Sequence, residues 1–220
     1  MDKEISVMLQ SKLFEGFNAS DCMILYSLLK PTMKSLIKGE VIVHEKEKLQ
    51  YLGILCKGKL TSVKYDYEGN MHLMQIIEKG NFFGLEIMAT KTCISPVTII
   101  SVEDSSVLKF SKNKLILQEI LPPKFQIKLL SNMIRLIANE DMKKIYKIET
   151  LSSKSLRGRI LTYLYLIKNK RGTSTFSIGM NREQFAQYLC VNRSALSHEL
   201  SLMKKEGIIS FNKDVFTFYD

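Results

Sequence analysis

The chain has 220 residues, 45% of them hydrophobic, which is enough for two modest domains with cores of their own. No apolar run approaches about 18 residues and acidic residues come early, so neither a membrane span nor a signal peptide is expected. The four cysteines (Cys22, Cys56, Cys93 and Cys190) are scattered without a C-x-x-C pair, which argues against zinc, iron–sulfur clusters or a disulfide framework and favours the cytoplasm.

The formal net charge of +10 is concentrated towards the C-terminus. Residues 1–121 carry 15 Lys and Arg against 14 Asp and Glu, residues 122–148 carry 6 against 2, and residues 149–220 carry 11 against 6. This distribution is typical of a protein that binds a polyanion through its C-terminal part. On charge alone, a basic surface that only aids solubility is an equal alternative.

The N-terminal half changes pattern once. Residues 5–30 are predicted to be helical, with Ser20 as a candidate helix cap. From Lys34 to Phe110, short β-rich runs are separated by turns at Gly39, Gly58, Gly69, Gly80 and Gly84. Regular short strands of this kind predict an antiparallel roll or barrel rather than a βαβ sheet.

A long helix is predicted from Lys124 to Glu149, opened by Pro122 and Pro123. Its apolar stripe either packs on the chain's own roll or pairs with the same helix of a second subunit. A helix of this length between two domains has no single core to bury it, so pairing is favoured. The predicted dimer contacts are Leu130, Met133, Ile134 and Ile137.

The segment from Met180 to Gly207 is predicted to form two short helices with a break at Cys190 and Val191. Asn181 can cap the first helix with Gln184 as its capping-box partner, and Asn192 can cap the second. A helix at 156–167 precedes this pair, and two strands around a turn at Lys213 follow it. Together they predict a winged helix.

The second short helix has an apolar face of Leu196, Leu200 and Met203. Its other face is polar and basic, a composition suited to base edges in a major groove, and carries Arg193, Ser194, Ser197, His198 and Ser201. Phosphate contacts, which position a protein without reading sequence, are expected from Arg182, Asn192 and Lys213. The alternatives are a phosphate contact for Arg193 and simple solvent exposure for His198.

Nearly the whole chain resembles the CRP/FNR family of transcription regulators. LFEGFNASDCMILYSLL is similar to the family's N-terminal helices, KGEVIVHEKEKLQYLGILCKGKL and GNFFGLEIMA to its cyclic-nucleotide-type β-roll, and RGRILTYL with NREQFAQYLCVNRSALSHELSLMKKEGIISF to its DNA-binding region. The resemblance implies an α+β fold with an N-terminal double-stranded β-helix or jelly-roll, a long dimerisation helix and a C-terminal winged helix. The corresponding boundaries are 1–121, 122–149 and 150–220.

The resemblance further implies a homodimer that binds a pseudo-palindromic double-stranded DNA operator in response to an effector, with RNA polymerase as a candidate partner. Family recognition helices often read R-E-x-x-x-R, a pattern that falls here on Arg193, Ser194 and His198. Ser194 replaces a glutamate that would accept a hydrogen bond from cytosine N4, so this readout is weakened or altered. His198 replaces an arginine and is a weaker, pH-sensitive donor. The target sequence is therefore expected to differ from the family's best-known site.

The family's cyclic-nucleotide sites use a Gly-Glu pair and an Arg followed by a small residue. Here Leu85 follows Gly84 with Glu86 one position late, and the Arg position falls on Ser95, followed by Pro96. Without the guanidinium the cyclic phosphate lacks its main counter-charge, so cyclic AMP and cyclic GMP are not expected. No metal or other cofactor is expected. Haem, which some family members bind, is the alternative, with His44 or His72 as ligand.

Two further classes of function compete with a DNA-binding regulator. An enzyme is not expected, because the sequence offers no nucleophile–base constellation, P-loop or metal-ligand spacing. The other alternative is a ligand- or haem/redox-sensing module with weak or no DNA binding. A capped, basic face at Arg182, Arg193 and Lys213 argues against that alternative, since a disused DNA-binding head would not be expected to keep it.

Overall fold

The structure is a computed structural model that describes residues 2–69, 71–117 and 120–219. The chain divides into two compact units, Met1–Asn139 and Glu140–Asp220. Their boundary falls within the 30-residue helix Pro123–Ser152. None of the described helices combines the length and the apolarity needed to cross a membrane.

The N-terminal unit begins with α1 (Asp2–Gln10), a 3-10 turn (Lys12–Phe14) and α2 (Ala19–Leu29). Asn18 caps α2: its side chain accepts from the Asp21 N–H at 2.8 Å, and the Asp21 carboxylate accepts from the Asn18 N–H at 3.2 Å. The prediction of Ser20 as the cap is therefore wrong. Asn18 is the cap because it forms a reciprocal capping box with Asp21, which satisfies two backbone N–H groups at once.

Eight strands and one short helix form an antiparallel roll, which confirms the predicted architecture. The elements are β1 (Thr32–Leu36), β2 (Val41–Val43), β3 (Tyr51–Lys57), β4 (Lys59–Tyr65), β5 (Met71–Glu78), β6 (Phe82–Phe83), α3 (Leu85–Ala89), β7 (Thr98–Ser101) and β8 (Ser105–Ser111). One sheet has the order β1-β8-β3-β6 and the other β2-β7-β4-β5. A π-helical turn (Asn113–Leu117) follows β8, and α4 (Pro123–Ser152) is the long helix.

Strand periodicity gives the first sheet two apolar faces. Leu52 and Ile54 of β3 pack in a core with α1, α2 and the first half of α4. Leu55 of the same strand and Val107 of β8 pack in a second core between the two sheets. Successive side chains of a strand point to opposite faces, so one strand serves both cores.

The C-terminal unit is a winged helix, as predicted. After the end of α4 come α5 (Leu156–Arg171), β9 (Thr175–Ser177), α6 (Arg182–Tyr188), α7 (Arg193–Lys205), β10 (Ile209–Asn212) and β11 (Val215–Phe218). The three strands form an antiparallel sheet of order β10-β11-β9. Phe185 of α6 is fully buried and meets Phe216 of β11 edge-on, with ring centroids 6.0 Å apart, so the wing and the helices share one core.

Candidate nucleic-acid interface

Side-chain caps fix where the two helices of the helix-turn-helix begin. Asn181 and Gln184 exchange two side-chain-to-backbone bonds of 2.9 Å at the start of α6. Asn192 accepts from the Ala195 N–H at 2.8 Å at the start of α7. Between the helices Cys190 has φ 56°, the left-handed conformation that reverses the chain sharply. Both predicted caps are confirmed, and the cap at Asn192 makes Arg193 the first residue of α7.

Helix α7 has one buried and one open face. Leu196, Leu200 and Met203 are fully buried in the core of the winged helix. The open face carries the four side chains predicted to read bases: Arg193, Ser194 and His198 are exposed, and Ser197 is half-buried. These positions are adjacent or three to five residues apart, so one helix face presents all four to solvent.

The start of α7 orients one of these groups. Ser194 Oγ donates to Asn192 Oδ1 at 2.9 Å, and the same oxygen holds the Ala195 N–H. The hydroxyl proton of Ser194 is therefore engaged, and its lone pairs are what it can offer to solvent. The side-chain oxygen of Asn192 is committed to capping, which leaves its amide nitrogen for the predicted phosphate contact.

Arg182 lies against the wing. The carbon at the centre of its guanidinium is 4.7 Å from the ring centroid of Phe211 and 5.7 Å from that of Phe216. Burial, and then the nearby charge of Arg193, lowers the pKa of this guanidinium below its ordinary value. Arg182 is thus half-buried and stacked, so it supports the wing as well as contributing positive charge beside α7.

The wing turn presents a cation. Lys213 is exposed and has φ 53°, at the two-residue turn between β10 and β11. Asp214 beside it accepts a hydrogen bond from the Ser177 hydroxyl, and this bond is the main reason why its pKa is lowered. Since β9 is tied to the turn in this way, the position of Lys213 is set by two strands.

Sequence reasoning missed the ion pairs that join α7 to α5. The Arg157 guanidinium donates to Glu199 at 2.6 Å and, through two nitrogens, to Glu206 at 2.7 and 2.9 Å. These partners are 42 and 49 residues away in sequence, and no local pattern signals such a pairing. The clamp fixes the C-terminal half of α7 to the start of α5.

In the N-terminal unit, α4 is divided between an inner and an outer face. Met133 is 4% exposed within the core of its own unit, and the half-buried Leu130 and Ile137 pack against that core. Ile134, by contrast, is 69% exposed, as is Ile127 at 70%. The four residues predicted as dimer contacts therefore do not share one environment, and Ile134 is the one left open.

The region predicted as an effector pocket is tightly built. Gly84 has φ 85°, and a Cβ there would lie 2.7 Å from Leu49 Cδ2 and 2.9 Å from the Tyr51 carbonyl oxygen. Leu85 is 1% exposed and belongs to the apolar core, whereas Glu86 is half-buried. The Gly-Leu pair thus serves packing, and Leu85 offers no polar group to a ligand.

The second half of that region is a closed turn. Ser95 is fully buried, and its hydroxyl donates to the Val97 carbonyl at 2.7 Å. Pro96 between them is exposed. The hydroxyl of Ser95 is therefore bonded within its own loop. A phosphate-binding site would instead need a free cationic donor at this position.

The two candidate haem ligands lie at the surface. His44 is exposed, and His72 on β5 has 59% of its side chain exposed, with Nε2 3.0 Å from Asp66. Among the described residues, no group of three or more His, Cys, Asp or Glu side chains is arranged to hold a metal ion.

Two family models match the chain, each on one of the units just described. The cyclic nucleotide-binding domain matches residues 33–117, and the Crp-like helix-turn-helix domain matches residues 158–218. A cyclic-nucleotide-type roll followed by this kind of helix-turn-helix decides the family. The chain belongs to the CRP/FNR family of transcription regulators.

Solved structures of CRP/FNR regulators share the fold. CprK in complex with OCPA matches with a TM-score of 0.67 and 15% identity, over 90% of this chain and 91% of that one. The c-di-GMP-responsive global regulator CLP of Xanthomonas campestris matches with a TM-score of 0.65 and 12% identity, over 90% and 98%. FixK2 of Bradyrhizobium japonicum matches with a TM-score of 0.60 and 18% identity, over 86% and 93%. No curated protein matches the chain significantly by sequence.

Membership of the CRP/FNR family makes the general activity plain. The protein is a DNA-binding transcription regulator with an effector-binding type of N-terminal domain. Its relatives are transcription regulators rather than enzymes.

Proposed function

We propose that this CRP/FNR regulator acts as a homodimer that reads a two-fold symmetric DNA duplex through the open face of α7. The observation that carries the proposal is the division of that helix, with Leu200 and Met203 fully buried and Arg193 and His198 exposed. A helix with a buried apolar face and an open basic face fits the major groove, and a dimer reads two half-sites one helical turn apart.

Base readout is assigned to four side chains by their chemistry. Arg193 can donate two hydrogen bonds to guanine O6 and N7. Ser194 donates its proton to Asn192 at 2.9 Å, so we assign it as an acceptor for an exocyclic amine of cytosine or adenine. Ser197 and His198 extend the contact by one turn. Arg182, Asn192 and Lys213 then contact phosphates on either side.

The outer face of α4 supports dimerisation. Ile127 and Ile134 are seven residues apart and about 70% exposed, and Ile148, a further fourteen residues along, is 65% exposed. Apolar residues at multiples of seven along a helix are the pattern that pairs with a second helix. The paired helix of a second copy would cover these three side chains.

The effector is proposed to be neither cyclic AMP nor cyclic GMP. Leu85 and Ser95 occupy the positions where the family's sites supply a carboxylate and a guanidinium, and both side chains are buried in the protein. An anionic cyclic phosphate at this place would lose water without gaining a counter-charge. The surface positions of His44 and His72 give no support to a haem site.

The decisive experiment is selection of duplexes from a random-sequence library by the purified protein, followed by sedimentation of the complex. The expected result is a sequence with two-fold symmetry bound by two chains. Selection of no preferred sequence, or binding as a single chain, would contradict the proposal. In a thermal-shift assay, cyclic AMP should leave the melting temperature unchanged, and a shift of several degrees would refute the effector assignment.

A further inference from the structure

One side chain joins the C-terminal ends of two helices in the winged-helix unit. Arg159 lies in the first turn of α5 and is half-buried. Its Nε donates to the Ser153 carbonyl at 3.1 Å, and its Nη1 donates to the Leu189 carbonyl at 3.1 Å. Ser153 directly follows α4 and Leu189 directly follows α6. Carbonyls at helix C-termini have no hydrogen-bond partner within their own helix. Here one guanidinium binds a carbonyl at the C-terminal end of α4 and another at the C-terminal end of α6.

A second set of contacts links the same two helix ends. Tyr188 is the last residue of α6, and its ring centroid lies 4.9 Å from that of Tyr163. Lys147 of α4 places its Nζ 5.3 Å from the ring centroid of Tyr188. Thr150, a fully buried residue in the last turn of α4, donates its hydroxyl to the Tyr146 carbonyl of the same helix at 2.8 Å. The end of α4 and the end of α6 are therefore linked by the two Arg159 hydrogen bonds and by the contact of Lys147 with Tyr188.

The chain beyond Leu189 leads straight to the recognition helix. The turn comprises Cys190 with φ 56° and Val191, whose N–H donates to the Ala186 carbonyl at 3.0 Å. It ends at Asn192, the cap of α7. Because so few residues separate the Leu189 carbonyl from Arg193, an anchor on that carbonyl also limits where α7 can begin.

We infer that Arg159 is a positioning residue for DNA binding: it fixes the start of α7 relative to the end of α4. Both of its hydrogen bonds run to main-chain oxygens of the protein, which distinguishes it from a side chain that contacts phosphate. A displacement at the end of α4 would be transmitted through the guanidinium to the turn before α7. The inference rests on the proposed DNA-binding function.

The test uses the full-length chain and the best-bound duplex that the wild type recovers from the random library. Binding is measured by fluorescence anisotropy at several salt concentrations, together with amide hydrogen exchange of the free protein. Arg159→Ala should weaken binding by about tenfold or more, since it removes two hydrogen bonds from a charged donor. The salt dependence should keep its slope, because every phosphate-binding side chain is still present. Exchange should accelerate at residues 189–193 and stay unchanged at Leu196–Met203.

Lys170→Ala is the matched control, since it removes an exposed cation from the other end of α5. It should change neither the exchange at residues 189–193 nor the binding by more than about twofold. Arg159→Lys covers the case in which the alanine variant does not fold. A lysine can reach one carbonyl but cannot span two, so binding should be intermediate and exchange should accelerate at the same amides.

Several results would overturn the inference. One is wild-type affinity for the duplex in Arg159→Ala or Arg159→Lys. Another is a salt dependence of binding whose slope is shallower by about one in Arg159→Ala, which would show that Arg159 neutralises a phosphate. Faster exchange throughout α5 and α7 would assign Arg159 to general stability instead. If the wild type selects no duplex, the proposed function falls and takes this inference with it. If the wild type and Arg159→Ala bind equally well, only the inference falls.

Discussion

Two hydrogen bonds of 2.7 and 2.9 Å join the Arg157 guanidinium to the Glu206 carboxylate, and so tie the start of α5 to the end of the recognition helix. Planar groups that meet through two parallel bonds fix orientation as well as distance. The ion pair supports α7 through Glu206, away from the exposed Arg193 and Ser194 at the other end of the helix.

This pair predicts acid sensitivity of the winged helix. Bonding to Arg157 lowers the pKa of Glu206 below its ordinary value of 4.5. The stabilisation is therefore present above the unfolded-state pKa and is lost as the pH falls through the lower folded-state pKa. Glu206→Gln should accelerate hydrogen exchange in α7 at neutral pH, and its difference from the wild type should shrink below about pH 4.5.

Glu183→Gln is the control for this prediction, because it neutralises an exposed carboxylate on the neighbouring helix α6. It should leave exchange in α7 at the wild-type rate. A constant difference between Glu206→Gln and the wild type at every pH would show that the ion pair does not contribute.

The base contact proposed for Arg193 and the phosphate contact proposed for Lys213 predict different effects on DNA binding. Arg193→Gln should weaken binding to the selected duplex by roughly ten- to a hundredfold and relax selectivity at one base pair of each half-site. Lys213→Gln should weaken binding to all duplexes about equally and lower the salt slope by about one for each phosphate that Lys213 neutralises. Anisotropy titrations against single-base variants of the duplex measure both effects. Equal weakening on every duplex for Arg193→Gln would make Arg193 a phosphate-binding residue.

The two faces of α4 predict opposite outcomes for neighbouring residues. Ile134→Glu places a charge at a residue of the outer face that is 69% exposed, and it should convert the proposed dimer to a monomer without unfolding the roll. Met133→Ala removes a side chain that is 4% exposed and should cost about 3 kcal/mol in free energy of unfolding while leaving the dimer intact. Sedimentation velocity and urea unfolding separate the two. A dimeric Ile134→Glu would refute pairing through this face.

Gly84 predicts a measurable packing cost in the N-terminal unit. Gly84→Ala places a Cβ 2.7 Å from Leu49 Cδ2 and 2.9 Å from a backbone oxygen, at φ +85°. Backbone strain and overpacking together should lower the free energy of unfolding by about 3 kcal/mol.

Gly80→Ala is the matched control, because φ there is +83° and a Cβ meets nothing within 4 Å. Only backbone strain applies, so its cost should be about 1 kcal/mol. The difference between the two variants in urea unfolding isolates the cost of packing. Equal costs would mean that the neighbours of Gly84 relax freely.

Local chemistry in the sequence predicted much of the DNA-binding head. Asn181 with Gln184 and Asn192 with Ala195 cap their helices through bonds that span three residues, and the apolar spacing of Leu196, Leu200 and Met203 defines which face is buried. Such features depend on near neighbours, so a single sequence contains them. The prediction of Ser20 as the cap of α2 is wrong because Asn and Ser both cap helices, and the reciprocal bond to Asp21 favours Asn18.

By itself, the sequence determined the periodic patterns, the caps and the charge gradient, and through them the roll, the long helix and the winged helix. Only the tertiary structure decided which side chains meet across long stretches of chain. It paired Arg157 with Glu206, brought Arg159 to Leu189, and turned Met133 inward while leaving Ile134 open. The physical reason is that the environment of a side chain depends on how whole helices and strands pack. The apolar stripe of α4 has the same sequence pattern whether one face of the helix is covered by other parts of the protein or both are.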